Sequence, residues 1–145
     1  MHKKSISACL LSVADTGEKF VHQKTFRTFF EDLLRLRDWL EEHDCPVVAM
    51  ESTGVYWKPV FNILEGYMEV VLVNAGHVKN VPGRKTDMSD SQWLANLLRH
   101  GLLRASFIPP QEVRQWRDWT RHRKKLVQSA NDYKRRVHKL LQSAS

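Results

Sequence analysis

The sequence predicts an α/β fold followed by a long helical arm. Short runs typical of strands recur between amphipathic patterns typical of helices. Two of these runs, residues 46–50 and 69–73, are almost continuously apolar, as in parallel strands buried on both faces. Residues 111–143 contain no Gly or Pro, which predicts one unbroken helix.

The first elements form a predicted hairpin and a helix. Residues 5–13 and 18–25 are typical of strands, and Asp15-Thr-Gly17 between them is typical of a turn. Residues 27–43 have apolar side chains at helical spacing. These positions are Phe29, Phe30, Leu33, Leu36 and Leu40. We therefore expect a β-hairpin and then an amphipathic helix.

The next elements alternate between strand and helix. Residues 46–50 predict a strand, residues 54–64 a helix that ends at Gly66, and residues 69–73 a second strand. A short helical piece is expected after Asn74. This order implies a sheet whose central strands are parallel.

The last elements are a short helix and the arm. After a loop at residues 81–85, Thr86 is a suitable N-cap for a helix from Asp87 to about His100, and Gly101 ends it. Pro109-Pro110 marks a domain boundary. We therefore expect domains at residues 1–108 and 109–145.

The positive charge of the chain is concentrated in the arm. The formal net charge is +7, and residues 111–145 hold 10 Lys and Arg against 3 Asp and Glu. Such a concentration favours polyanions, because binding releases counterions condensed on phosphates. The alternative is a solvated helix face. The candidate nucleic-acid-binding residues in the arm are Arg121, Arg123, Lys124, Lys125, Lys134, Arg135 and Arg136.

Three acidic residues are candidates for a metal centre. Glu51 ends a predicted buried strand, and Asp87 and Asp90 lie three residues apart at the start of a predicted helix. We expect both Asp side chains to point inward, where carboxylates repel each other unless a cation compensates. Mg²⁺ prefers such oxygen ligands, and two ions can clamp a phosphodiester displacement. Alternatively, both Asp residues only complement the helix dipole. Spacing alone does not decide between these interpretations.

Neighbouring residues have both functional and structural interpretations. Ser52-Thr53-Gly54 can hold a phosphate through backbone N–H groups or form an ordinary helix start. Tyr56 and Trp57 can stack on a base or pack on the sheet. Arg84 and Lys85 can neutralise a scissile phosphate or remain simple loop cations. For the Ser-Thr-Gly segment and the two aromatic residues, the structural interpretation is more common than the functional one. For the two cations, both interpretations are equally common.

Several classes of protein are excluded or disfavoured. The His residues lack zinc-ligand spacing, and no Walker-type glycine loop or GxSxG elbow occurs. No run is long enough to span a membrane, and no signal peptide is recognised. Cys9 and Cys45 lack CxxC spacing, which indicates reduced, buried thiols in a cytoplasmic protein.

The arm has an apolar seam as well as positive charge. Trp116, Trp119, Arg123, Leu126, Ala130, Tyr133, Val137 and Leu140 follow each other in steps of three and four, which is a heptad pattern. A helix of this length spans about 50 Å, too long to bury on a small domain. We expect it to pair with another helix or chain, and a kinked helix that folds back is the alternative.

Three segments resemble the amino-terminal domain of the DEDD-type insertion-sequence transposases, the family named after insertion sequence one-ten and related to Piv-type DNA invertases. The segments are Met1-His-Lys-Lys-Ser-Ile-Ser-Ala-Cys-Leu10, Ala49-Met-Glu-Ser-Thr-Gly-Val-Tyr-Trp57 and Arg84-Lys-Thr-Asp-Met-Ser-Asp-Ser-Gln-Trp-Leu-Ala95. The second and third occur in the order and at the separation of the family, and the resemblance covers most of the chain.

The resemblance implies an RNase H-like (RuvC-like) domain with a mixed sheet and flanking helices, followed by a coiled-coil arm. Four acidic residues of the family bind Mg²⁺ or Mn²⁺ for DNA strand cleavage and exchange. Glu51, Asp87 and Asp90 match three of them and are the candidate catalytic and metal-binding residues. The family implies dimer contacts through residues 111–143, a further domain with a serine nucleophile, and in some members a guide RNA.

The sequence departs from the family pattern at its start. The first family acid lies in a motif like Gly-Ile-Asp-Val-His-Lys, and the matching His is His2. We therefore expect a truncated chain that lacks this acid, most of the central first strand and the C-terminal domain, and that is inactive alone. The hairpin would then have an unpaired edge, which favours pairing with another chain in a dimer or higher oligomer.

Three functions are compatible with these patterns. The first is a transposase or recombinase domain of the bacterial or archaeal cytoplasm that acts on DNA. The second is a non-catalytic module for nucleic-acid binding and dimerisation, in which the acids are structural. The third, an RNase H-like hydrolase of RNA, accounts for the acids but not for the arm.

Overall fold

The computed structural model describes residues 4–84 and 87–144 of the chain. Within them lie four strands and five helices. The chain clusters into two compact units that divide between Phe107 and Ile108. The first unit contains all four described strands, and the second contains the long helical arm. The predicted α/β class is therefore confirmed.

The predicted hairpin is confirmed. Strands β1 (Ser5–Val13) and β2 (Lys19–Arg27) pair antiparallel along their whole length. Gly17 makes the turn possible because its φ of 84° lies in the left-handed region. Its N–H donates to the carbonyl of Ala14 at 2.8 Å, which closes the turn.

The predicted parallel pair is also confirmed. Strands β3 (Val47–Glu51) and β4 (Glu69–Val73) run parallel and in register. Parallel neighbours need a crossover connection, and helix α2 (Trp57–Leu64) lies within it. The N–H of Ser52 donates to the carbonyl of Val73 at 2.9 Å, which extends the ladder past the end of β3.

The described strands form two sheets, whereas one mixed sheet was expected. One sheet contains β1 and β2, and the other contains β3 and β4. No strand in the described part of the chain joins β1 to β3. Two short sheets side by side therefore replace the predicted continuous sheet.

Helix α1 (Phe30–Glu42) begins later than predicted. Residues up to Arg27 still belong to β2, so the predicted start at residue 27 is wrong. Phe29 and Phe30 are 68% and 69% exposed, against the prediction that they join the apolar face. The rest of that face is buried and contacts β2 and α2.

Two short helices follow the strands of the parallel pair. Helix α2 starts at Trp57 rather than at residue 54, and Gly66, with a φ of 98°, follows its C-terminus as predicted. Helix α3 (Ala75–Lys79) is the predicted short helix after Asn74, whose side chain accepts a hydrogen bond from the N–H of Gly76 at 2.8 Å. The carboxyl end of β4 therefore leads almost directly into a helix, whereas residues 52–56 separate the end of β3 from α2.

Helix α4 (Asp90–Arg99) contacts both sheets through β1 and β3. Its Trp93 and Leu97 are buried in a cluster with Val73 and Val78. Burial of such apolar side chains is the main stabilising term in folding. Helix α4 therefore packs against both sheets and helps to hold them together.

The arm is a single helix, α5 (Gln111–Ser143), with the predicted bounds and no buried residue. Among the described residues, no helix combines the length and apolar character required to cross a membrane.

Candidate functional site

Glu51 lies at the carboxyl end of a parallel strand, as predicted, and this strand is mostly half-buried. It is the last residue of β3, its side chain is half-buried, and its register partner in β4 is Val73. Functional groups of open α/β sheets gather at this edge. The position of Glu51 is therefore suited to a site, whereas its role stays a prediction.

Asp87 and Asp90 do not share a helix face. Helix α4 begins at Asp90, and Asp87 lies before it in an exposed turn. Ser89 is the N-cap, with its hydroxyl accepting from the N–H of Gln92 at 3.3 Å. The predicted helix start at Asp87 is wrong, and the predicted cap Thr86 lies outside the described residues.

The carboxylate of Asp90 points to solvent rather than into the core. Its side chain is 84% exposed, and Arg84 Nη1 lies 2.8 Å from its Oδ1. Arg84 Nη2 also donates to the carbonyl of Met88 at 2.8 Å. The expectation of two inward carboxylates is wrong, because Asp90 is exposed at the helix start and Asp87 is exposed in the preceding turn. Lys85 lies outside the described residues.

A large cavity connects two of the three acids. It has a volume of about 1280 Å³, and Glu51, Asp90 and Arg84 are among its lining residues. Its lining also includes apolar side chains of both sheets and of α4. Asp87 does not line it. The structure therefore brings Glu51 and Asp90 to one cavity and leaves Asp87 outside it.

The three acids as placed do not fit a shared metal ion. Among the described residues, which include Glu51, Asp87 and Asp90, no group of three or more His, Cys, Asp or Glu side chains could hold a metal. A Mg²⁺ site in a protein needs carboxylate oxygens in a near-octahedral shell. The exposed turn at Asp87 and the Arg84–Asp90 ion pair do not provide one.

The segment after Glu51 does not form a phosphate cradle at a helix start. Helix α2 starts three residues beyond Gly54, and the N–H of Ser52 is already bonded to Val73. Trp57 packs edge-on against Phe61 with ring centroids 5.8 Å apart, which favours the structural interpretation of Trp57. Tyr56 remains 41% exposed.

Arm α5 presents both charge and apolar surface. Every candidate cation in it is exposed. The large apolar side chains of the seam are exposed as well. The rings of Trp116 and Trp119 lie 6.1 Å apart, and Arg136 lies over the ring of Tyr133 at 5.5 Å. The arm can therefore offer a polyanion its basic side chains and a second helix its apolar seam.

The two cysteines are free thiols. Both are half-buried, and burial raises the pKa of Cys9 and of Cys45. A hydrogen bond with the Gln23 side chain offsets part of this rise in the pKa of Cys9, and one with the backbone of Val47 offsets part of it for Cys45. The thiolate is the nucleophilic form, so neither residue is poised for nucleophilic catalysis.

Sequence reasoning did not identify two features. Asp32 is buried on α1 and is held by Arg27 at 3.0 Å and Arg35 at 3.2 Å. Its spacing from Arg35 was a usable signal. No spacing rule predicts the Arg84–Asp90 pair, because Arg84 lies in a loop and Asp90 at the start of a helix.

Comparison with known proteins identifies one family. The model of the DEDD transposases of insertion sequence IS110, described as "Transposase", matches residues 1–145. A search of curated proteins returned no match.

The cap of α4 can be tested by Ser89→Ala. We expect this change to lower the free energy of unfolding by about 1 kcal/mol, because the N–H of Gln92 and the side-chain amide of Gln23 both lose their acceptor. The control is Ser91→Ala, one residue inside the helix, where Ala has the higher helix propensity. Urea denaturation measures both changes. An equal effect of the two variants would show that Ser89 is not the cap.

Proposed function

The chain belongs to the DEDD transposases of the insertion sequence one-ten family, and from this premise we propose that it is the DNA-binding and strand-exchange domain of a transposase. The observation that carries the proposal is the family match over the whole of residues 1–145. In this proposal the first unit is an RNase H-like domain, and the arm binds DNA and a second copy of the chain.

The strand arrangement supports the RNase H-like part of the proposal. An antiparallel hairpin and a parallel pair with one helix between its strands are both present in the described residues. Glu51 lies where such sheets collect functional groups, at the carboxyl end of a parallel strand. Helix α4 places Asp90 on the same cavity.

The acids are the proposed ligands of Mg²⁺ or Mn²⁺. The resemblance to the family implies metal dependence, and in this proposal Glu51, Asp87 and Asp90 correspond to its acidic residues. Their present arrangement does not fit a shared ion. Metal binding would therefore require Arg84 to leave Asp90 and the turn at Asp87 to approach Glu51. The released guanidinium, together with Lys85, would then be available to a DNA phosphate.

Arm α5 is the proposed DNA-binding surface. Its exposed cations lie along a helix of about 50 Å, which matches about 15 base pairs of DNA at 3.4 Å per pair. Such contacts are made to phosphates and do not select a sequence. An RNA partner, including a guide RNA, would use the same chemistry.

The seam of α5 is the proposed dimer contact. Leu126, Val137 and Leu140 are more than half exposed at heptad spacing, although a buried seam is what stabilises paired helices. A second copy of the chain would cover them. The dimer contact therefore lies within residues 111–143, with DNA on the charged faces.

A non-catalytic module for nucleic-acid binding and dimerisation is the second candidate. The observation that favours it is that the described acids do not form a metal cluster, whereas the arm is fully formed. Metal binding separates the two candidates, because only the first requires the acids to hold an ion.

Charge removal in the arm should weaken DNA binding. We expect the variant with Arg121, Arg123, Lys124 and Lys125 all changed to Gln to reduce the slope of log K against log salt by about 3 to 4, because each phosphate contact contributes about 0.9. Fluorescence anisotropy with duplex DNA across a salt series measures this slope. A matched control exchanges Arg for Lys and Lys for Arg at the same positions, keeps the charge, and should retain the slope. An unchanged slope in the Gln variant would exclude the arm as the DNA-binding surface.

Metal binding should be limited by the Arg84–Asp90 pair. We expect titration calorimetry with Mn²⁺ to give no saturable heat for the unmodified chain, and Arg84→Gln to strengthen binding because it frees Asp90. Adding Asp87→Asn to Arg84→Gln should remove the gain. If Arg84→Gln has no effect, or if its gain survives Asp87→Asn, these acids do not form a joint metal site and the second candidate is favoured.

Dimerisation should depend on the apolar seam. We expect Leu126→Glu with Leu140→Glu to shift sedimentation from dimer to monomer, because charges at seam positions are costly to bury. Gln128→Glu with Ser129→Glu, outside the seam, is the charge-matched control and should remain dimeric. A monomeric unmodified chain at high concentration would contradict the proposed contact.

A further inference from the structure

The two halves of the α5 seam differ in side-chain size and charge. The first half holds two Trp residues and an Arg, whereas the second half holds smaller or uncharged side chains. The first half contains Trp116, Trp119, Arg123 and Leu126, and the second contains Ala130, Tyr133, Val137 and Leu140. Because the halves differ, a paired helix meets different side chains depending on the direction in which it runs.

A parallel partner arm would bring unfavourable pairs together along the seam. In a parallel pair in register, each seam residue faces its own copy across the interface. Trp116 and Trp119 would then crowd two adjacent layers with four indole rings, whereas two Ala130 side chains would leave a gap. Two copies of Arg123 would face each other as like charges. The composition of the seam therefore disfavours a parallel pair.

An antiparallel partner arm matches the seam over its whole length. A two-fold axis at Gln128 reverses one helix relative to the other, and every seam residue then faces a seam residue of the second copy. The pairs across the interface are Trp116 with Leu140, Trp119 with Val137, Arg123 with Tyr133, and Leu126 with Ala130. All eight seam positions are therefore used.

The side chains of these antiparallel pairs complement each other. Each Trp faces an aliphatic side chain, and Leu126 faces the small Ala130, so large and small residues alternate across the interface as close packing requires. Arg123 faces the ring of Tyr133, and a guanidinium over an aromatic ring is a favourable contact. The antiparallel arrangement thus removes the crowding, the gap and the like-charge pair together.

Apolar residues beside the seam favour the same direction. Val113, Val127 and Leu141 are exposed on α5. In the antiparallel pair Val127 lies beside its own copy and Val113 lies beside Leu141, so each apolar side chain gains an apolar neighbour. In a parallel pair the flanking positions cross differently. Val127 would then lie beside His122 and Leu141 beside Arg136.

The register of the antiparallel pair is fixed by the same residues. A shift of one heptad in one direction leaves both Trp116 and Trp119 without a seam partner. A shift in the other direction leaves Val137 and Leu140 without one. Only the axis at Gln128 covers all of these apolar side chains, whose burial is the main stabilising contribution to helix pairing.

We propose that the seam is covered by the arm of a second copy that runs antiparallel, with the two-fold axis at Gln128. The proposal rests on the proposed function, because it specifies the direction and register of the dimer contact. The points at which the two chains enter the paired arms then lie about 50 Å apart, at opposite ends of the pair. Residues 121–125 of one copy lie opposite residues 131–135 of the other, so basic residues of both copies line the pair together.

Disulfide formation between single-cysteine additions tests the direction. The variants are Trp119→Cys and Val137→Cys in the full chain, oxidised separately and as an equimolar mixture. Linked peptides are identified by mass spectrometry, which separates these links from any that involve the native Cys9 or Cys45. Each variant alone is the matched control for the mixture, because a parallel pair links each variant to itself.

We expect the mixture to give at least about tenfold more of the link between positions 119 and 137 than of either self-link, because a disulfide requires Cα atoms within about 7 Å. Self-links as abundant as the mixed link would show a parallel or unfixed direction and would overturn the proposal. A second mixture, Leu126→Cys with Val137→Cys, tests the register and should give no link. A link there would show a pair shifted by one heptad and would also overturn it.

Sedimentation of the unmodified chain separates failure of this proposal from failure of the dimer contact. A dimer that lacks the link between positions 119 and 137 would overturn the antiparallel arrangement and leave the dimer contact in place. A monomer at high concentration would contradict the dimer contact and the antiparallel arrangement with it.

Discussion

The packing of α4 across both sheets is the constraint on which the rest of the first unit depends. Trp93 and Leu97 are buried with Val73 of β4, while α4 also contacts β1 and β3. The two sheets have no strand pairing with each other in the described residues, so this helix is one of the elements that hold them side by side. Gln23 of β2 adds a polar link, because it donates to Ser89 at 3.0 Å. The position of Asp90 also follows from where α4 lies, because Asp90 is the first residue of this helix.

The central parts of the strands and helices could be predicted from the sequence, whereas the first residues of several helices could not. Apolar periodicity identified the strands at residues 5–13 and 69–73 and the arm at residues 111–143, because burial or heptad spacing fixes those patterns. Helix starts depend on which nearby hydroxyl caps the first turn. Thr86 and Ser89 are both suitable N-caps by residue type, and only the observed cap of α4 by Ser89 distinguishes them.

The candidate site was predictable in position but not in geometry. Glu51 could be placed because a strand end is a local feature. The directions of the Asp87 and Asp90 side chains depended on where α4 begins, and a three-residue change moved Asp87 out of the helix. The ion pair of Asp90 with Arg84 has no periodic signature, because it joins a loop to a helix start. Which strands pair could likewise not be predicted from the sequence. Apolar runs indicate that strands are buried without showing which strands are neighbours.

In the proposed dimer, the arm would link association of the chain to its affinity for polyanions. An isolated helix depends on contacts of its apolar side for most of its stability, and α5 exposes Trp116, Leu126 and Leu140 with no buried residue. Pairing of two arms through the seam would cover these side chains and bring two sets of basic residues together. Two linked binding surfaces engage one polyanion more tightly than either does alone. The affinity of the chain for DNA should therefore rise with protein concentration over the range in which the arms pair, because binding and association stabilise the same state.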